Sequence, residues 1–330
     1  MRFNPKGEDD VRSSIDDYPH EDLRKSYTIS RNDWDPQKHD GEILRISKSS
    51  LGTFGWCPKQ YWFTYFEKIE GETVYYHTRG LNVHDAMEYF WENVSEVIPE
   101  IFRLLHEGLR ESAREMMHDV IPAPPEPYAY GEEEQIRQWV DWQFSRFEHT
   151  NGADWEPVGC EAEIHASRIV EVDGEPIPIH MKGYIDSIFS NGDADGTFAL
   201  MELKTGKWKK SGGRKRTSMR KEMQFYKMML ENSPHHEYLP ITHWGWEFPG
   251  GGIEGGDGAH IYFEPVKDAA RFTPKSVEKS LVNLVQAHID GDFPMTGAEE
   301  WWNAKESRMQ SKCEWCDYME ICPTFTGEET

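Results

Sequence analysis

Glu202 and Lys204 stand two residues apart in LMELKTG, an apolar run that stops at Thr205-Gly206. A strand changes face at every residue, so the acid and the amine share one face while Met201 and Leu203 share the other. Charges in such a strand are costly unless paired. A cross-strand ion pair at a sheet edge is one reading; a chemical site is the other. Asp186 lies in the preceding run, KGYIDSIFS, and a hairpin turning near NGDADG brings its carboxylate to Glu202 and Lys204. Two carboxylates on adjacent strands suit a hard divalent cation such as Mg²⁺ or Mn²⁺, which prefers oxygen ligands. A lysine beside them can orient or deprotonate a water and offset charge on a phosphorane-like transition state. His84, in RGLNVHDAMEYF, adds an imidazole near a helix start, with Glu88 one turn on along the same face. A lone helical histidine is more often structural than a ligand, so its value depends on these neighbours.

A second group is sulfur. Cys313, Cys316 and Cys322 crowd the C-terminal region in CEWCDYMEICP, and Cys57 precedes a proline in WCPKQYWFTY. Five cysteines in all make an odd number, unlike a secreted disulfide framework. Four thiolates suit a [4Fe-4S] cluster or a structural zinc, and spacing does not choose between them. Cys160, in a strand pattern, reads as a buried small hydrophobe.

The third group is basic. KTGKWKKSGGRKRTSMRK carries Lys207, Lys209, Lys210, Arg214, Lys215 and Arg216 with no acid, directly after the strand of Lys204. A charge run is often only a solvated loop. Here the whole chain has a net charge of -23, which repels nucleic acid on average, so any contact with DNA needs such a local patch. Trp208, Trp56, Tyr61 and Trp62 can stack on unpaired bases or fill the core. The strong acidity also suits a high-salt cytoplasm or a virus-infected cell. No apolar run is long enough to cross a membrane and no signal region opens the chain, which predicts a cytoplasmic protein.

The elements that must position these groups follow from periodicity. Residues 1–40 are charge-mixed and predict a loosely ordered arm, and residues 41–330 a single domain. Ser49 or Ser50 is placed to cap an aromatic-rich helix. A helical insertion runs over about 85–150, broken near Pro99. Alternating runs over about 153–265 predict the sheet, and a last helix with the cysteine tail covers about 275–323.

GLNVH, GYID and ELKTG in this order, followed by a tyrosine-bearing helix, resemble the PD-(D/E)xK nuclease superfamily in its RecB-like branch. The resemblance implies an α/β fold: a restriction-endonuclease-like mixed sheet core with a helical insertion, and an iron-sulfur clasp joining the N- and C-terminal parts, as in AddB and the RecB-like nucleases beside CRISPR adaptation genes. It implies that His84, Asp186 and Glu202 hold metal, with the backbone carbonyl of Leu203 as a further ligand, and that Lys204 is the catalytic lysine. The branch's QxxxY motif becomes ExxxY here, with Glu222 and Tyr226 in EMQFY. Gln224 is two residues from Tyr226 and points roughly 200° away on a helix. Ile185 replaces the proline of the PD motif. The cluster implied is [4Fe-4S] on Cys57, Cys313, Cys316 and Cys322, with zinc as the competing metal. The activity implied is exonuclease cleavage of single-stranded or end-frayed DNA in replication, recombination or repair, with a helicase or a CRISPR integrase as partner. A non-catalytic DNA-end-binding or scaffold subunit is the alternative.

Overall fold

The computed structural model describes residues 44–69, 75–124, 126–191, 196–206, 213–250, 260–269, 273–295 and 316–322. The expected arm over 1–40, Lys207, Trp208, Lys209, Lys210 and Cys313 lie outside them, as do the side chains of Arg214 and Lys215. The chain forms two compact units. Among the described residues, one takes those of Thr73–Ile164 and Tyr184–Thr273; the other takes those of Glu8–Glu72, His165–Gly183 and Pro274–Thr330.

The first unit is a mixed sheet with helices. Helices α3 (Tyr75–Asn93), α4 (Ile98–His106), α5 (Arg110–His118) and α6 (Glu132–Thr150) come first, and Pro99 falls in the first turn of α4, where its missing N–H costs nothing. The strands follow: the start of β2 (Gly159–Val172), the end of β3 (Glu175–Ser190), β4 (Phe198–Leu203), β5 (Ile241–Phe248) and β6 (His260–Pro265). β3 and β4 are antiparallel, with Ser187 opposite Met201. β4 and β5 are parallel, because helix α7 (Gly213–Glu231) carries the chain across between them. β5 and β6 are antiparallel again, and the short helix α8 (Val266–Ala269) follows.

β4 is buried along nearly its whole length, as a central strand covered on both faces must be. Its Met201 and Leu203 join a core built from Val83, Met87, Phe90 and Trp91 of α3 and Trp139, Val140 and Phe144 of α6. The α3 residues recur at helical spacing, and Phe90 and Trp91 meet Trp139 edge to face at 5.0 and 5.6 Å. Glu202 therefore faces the other way, toward α7, whose buried stripe is Met219, Met223, Tyr226 and Leu230.

The second unit holds β1 (Leu44–Ser47), α1 (Lys48–Trp56), α2 (Pro58–Tyr65), the hairpin end of β2 and β3, and α9 (Thr273–Asp290). β1 runs parallel to β3, with Ile46 opposite Met181. The hairpin turns through Asp173 and Gly174 at φ of 51° and 86°, the pair of left-handed residues that matches strand twist in a two-residue loop. The cap of α1 is Ser47 rather than Ser49 or Ser50: Ser47 and Ser50 bond each other's backbone N–H reciprocally, which makes Ser50 the third helical residue. Tyr61 is fully buried, its hydroxyl 2.9 Å from His288 Nε2 and its ring stacked on Phe293, so it belongs to the core and not to a base-stacking surface. Trp62 stacks on Phe66 with centroids 4.5 Å apart. Tyr318 ties residues near the C-terminal end to α2 by bonding Thr64 Oγ1 and the Ile69 carbonyl, each at 3.1 Å.

Candidate active site

The charged groups predicted from the sequence converge within the first unit. The Asp186 carboxylate on β3 accepts the backbone N–H of Leu203 at 2.6 Å, which locks the two strands where they meet. His84, from α3, places Nδ1 3.9 Å from Asp186 Oδ2 and 3.6 Å from Glu161 Oε1. His84, Glu161 and Asp186 each offer one ligand atom, all within 4.8 Å of one another. Burial opposes a charge on the His84 ring, but Asp186, Glu161 and Glu202 together outweigh it and raise the pKa to about 9.

Glu161 was not among the sequence candidates. It sits on β2, and its φ of 44° is a left-handed conformation that costs a non-glycine residue about 1–3 kcal/mol. Such strain persists where it aims a side chain, and here the chain aims a carboxylate at His84. A sequence signal existed: counting outward in step from the Asp173–Gly174 turn pairs Glu161 with Asp186.

Lys204 answers the burial problem of its strand. Its Nζ lies 2.8 Å from Glu202 Oε1 and 2.7 Å from Glu222 Oε2, so one amine bridges two acids from two elements. The backbone N–H of Lys204 is held at 2.8 Å by the carbonyl of Glu247 on β5. Glu222 and Tyr226 are one turn apart on α7 and face the site together. Tyr226 is buried and its phenol bonds Glu202; burial, with the carboxylates of Glu202, Asp186 and Glu222, holds its pKa well above the usual phenol range. It is therefore a fixed hydrogen-bond donor and not a base. Gln224 is buried as well.

His84, Glu88, Glu161, Asp186, Glu202 and Leu203 line one cavity of ≈ 20 Å³, with Cys160, Trp139 and Glu247 behind them. That is room for a single water-sized sphere. Burial pushes the Cys160 thiol far up, so it lines the cavity as an uncharged group. An imidazole and several carboxylates around a space of that size form a donor set that fits a hard divalent cation. Glu202 lies outside that closest cluster, and its Oε1 accepts a bond from Lys204.

In the basic run, the Arg216 guanidinium lies 5.0 Å over the Tyr262 ring. Arg220, further along the same run, makes a two-pronged bond to Glu264, so its charge is used internally. Cys57, Cys316 and Cys322 are half-buried and in no disulfide. All three belong to the second unit.

No curated protein matches the chain. Among solved structures it is similar to one titled "Crystal structure of SSO0001", at 13% identity over 87% of this chain and 89% of that one, with a TM-score of 0.33. The model of the family described as the PD-(D/E)XK nuclease superfamily matches residues 45–323, a span that holds all of the acids, the lysine and the histidine above. The chain belongs to the PD-(D/E)XK nuclease superfamily.

Proposed function

We propose that this protein is a divalent-metal-dependent deoxyribonuclease of the RecB-like branch that works as an exonuclease on single-stranded or frayed DNA ends. One observation carries the reading: an acid-and-imidazole cluster around an ion-sized cavity stands beside a lysine anchored by two acids. His84, Glu161 and Asp186, with Glu202 and the Leu203 carbonyl, are the groups that would hold Mg²⁺ or Mn²⁺. Such an ion polarises a phosphoryl oxygen and makes water a better nucleophile. Lys204 supplies a positive donor to the phosphate whose charge grows in the transition state. Glu202 and Glu222 fix where that amine sits, and the Tyr226 phenol fixes Glu202. Asp186 is held rigid by the Leu203 N–H.

In this reading Cys57, Cys313, Cys316 and Cys322 hold a [4Fe-4S] cluster that clasps the two ends of the second unit. What supports it is the donor set: three thiols there are half-buried, and Tyr318, between Cys316 and Cys322, is bonded to the helix that follows Cys57. Anaerobically purified protein should show broad visible absorption; a colourless zinc protein would overturn the cluster but not the nuclease. The decisive experiment is cleavage of 5′- and 3′-end-labelled single-stranded and duplex DNA with Mg²⁺ or Mn²⁺, beside Lys204→Ala. Digestion that needs metal and is lost in the variant is the expected result, with products released stepwise from one end. Cleavage by neither protein, with DNA still bound, would favour a scaffold role.

A further inference from the structure

A second, larger hollow lies beside the catalytic cavity in the same unit. Its volume is ≈ 320 Å³, within the range of about 300–1,000 Å³ typical of small-molecule sites. The sheet itself makes the depression. In the register of β4, β5 and β6, Met201, Gly245 and Phe263 lie side by side, and Ala199 is two residues before Met201. A Cβ on Gly245 would come within 2.7 Å of both Met201 Sδ and the Tyr262 carbonyl, so only glycine lets the Met201 side chain lie across the strand. Small residues keep this part of the face low.

Two walls rise from that floor. Trp142 and Arg146 of α6 form one; Ile261 and Phe263 of β6 form the other, and Phe263 is 48% exposed although it is a phenylalanine. Ser190 and Asn191, at the end of β3, and one acid, Asp154, also line it. The ring of Phe263 is already aligned, stacked at 5° on His243, whose Nδ1 is 2.9 Å from the Asn191 amide.

Arg146 decides what chemistry the hollow takes. Its guanidinium lies 4.5 Å over Phe189, and its N–H groups donate to Gln143 Oε1 and to the Trp155 carbonyl. No carboxylate of the described residues is within ion-pair distance of it, although Glu247, which also lines the hollow, acts on its charge from further away, so a half-buried guanidinium lines the hollow with donors to spare. An aromatic slot with an arginine inside suits a flat ring that carries an anion.

Met201 and Glu247 line both the hollow and the catalytic cavity, and the Glu247 carbonyl holds the backbone of Lys204. From this we propose that the hollow is a nucleotide subsite: it holds the base of one nucleotide of the cleaved strand between Trp142 and Phe263, with that nucleotide's phosphate on Arg146. The proposal rests on the nuclease reading and adds a specificity-determining site to it.

The test is binding of deoxyadenosine 5′-monophosphate in EDTA, by saturation-transfer NMR and calorimetry, so that no cleavage intervenes. Phe263→Ala, at an exposed position, should weaken binding about tenfold through the loss of stacking. Arg146→Gln should do so by a similar factor through the loss of the charged bond, with the thermal midpoint recorded because Arg146 also packs on Phe189. A 5′-phosphorylated tetradeoxyadenylate should displace the mononucleotide. Absence of binding at millimolar ligand, equal binding by wild type and Phe263→Ala, or failure of the tetranucleotide to compete would each overturn the subsite. If the mononucleotide binds as described but no cleavage is ever seen, the subsite stands and the catalytic reading falls.

Discussion

At the scale of single residues, the site is a balance of acids against one amine and one imidazole. Removing the amine by Lys204→Ala should lower cleavage by about 10²–10⁴-fold and leave DNA affinity within a small factor, as single-turnover rates and a binding isotherm would show. Unchanged cleavage would remove Lys204 from the chemistry. Glu161→Gln keeps the size of the side chain and removes one anionic donor from the cluster. It should weaken Mn²⁺ binding by at least about tenfold in calorimetry, and cleavage should recover at high Mn²⁺; an unaltered isotherm would leave Glu161 a strained bystander. The contrast between Glu161 and Asp186 shows what a sequence reveals. Asp186 is flanked by a recognisable pattern and followed by ELKTG; Glu161 shares its strand with Glu163 and depends on a left-handed backbone angle that no residue type announces.

At the scale of elements, β3, β4 and α7 were legible because alternation and helical spacing are strong signals in buried segments. The parallel pairing of β4 with β5 follows from the helix between them. Less legible were points where a side chain chooses between neighbours: the α1 cap fell on Ser47 because its hydroxyl, and not that of Ser49, meets the N–H of Ser50. Arg220 is the same kind of case. In the sequence it is one cation in a basic run, yet it bonds Glu264, which also accepts from Trp244 and Tyr262. Burial would raise the Glu264 pKa, but these three donors outweigh it and hold it below its ordinary value of 4.5. The carboxylate therefore stabilises the fold above that pH, and the contribution disappears as pH falls through the lowered value. Glu264→Gln should cost about 3 kcal/mol at pH 7, and the gap to wild type should close in acid. Urea melts at pH 7 and at a series of lower pH values that runs through the lowered pKa would show it; a gap independent of pH would mean that packing, not charge, is what the glutamate supplies.

At the scale of the whole molecule, a net charge of -23 sets the terms on which DNA can approach. Replacing Lys209, Lys210, Arg214 and Arg216 with glutamine should reduce the slope of log affinity against log salt by about 0.7 for each phosphate of a single strand that is no longer neutralised. A parallel line would return that segment to the role of a solvated loop. The route of the chain through its two units has a different consequence. Among the described residues, the catalytic unit is written in two stretches with part of the other unit between them, and that second unit takes segments from before, between and after. On the ribosome, β2 and β3 emerge long before Pro274 and the cysteine tail, so the strands bearing Glu161 and Asp186 are made while their continuations toward the Asp173–Gly174 turn still lack later partners. Synthesis order thus makes completion of the second unit a late event, and a nascent chain halted before α9 would carry every catalytic residue, with Glu161 and Asp186 on strands whose other halves still lack their later partners.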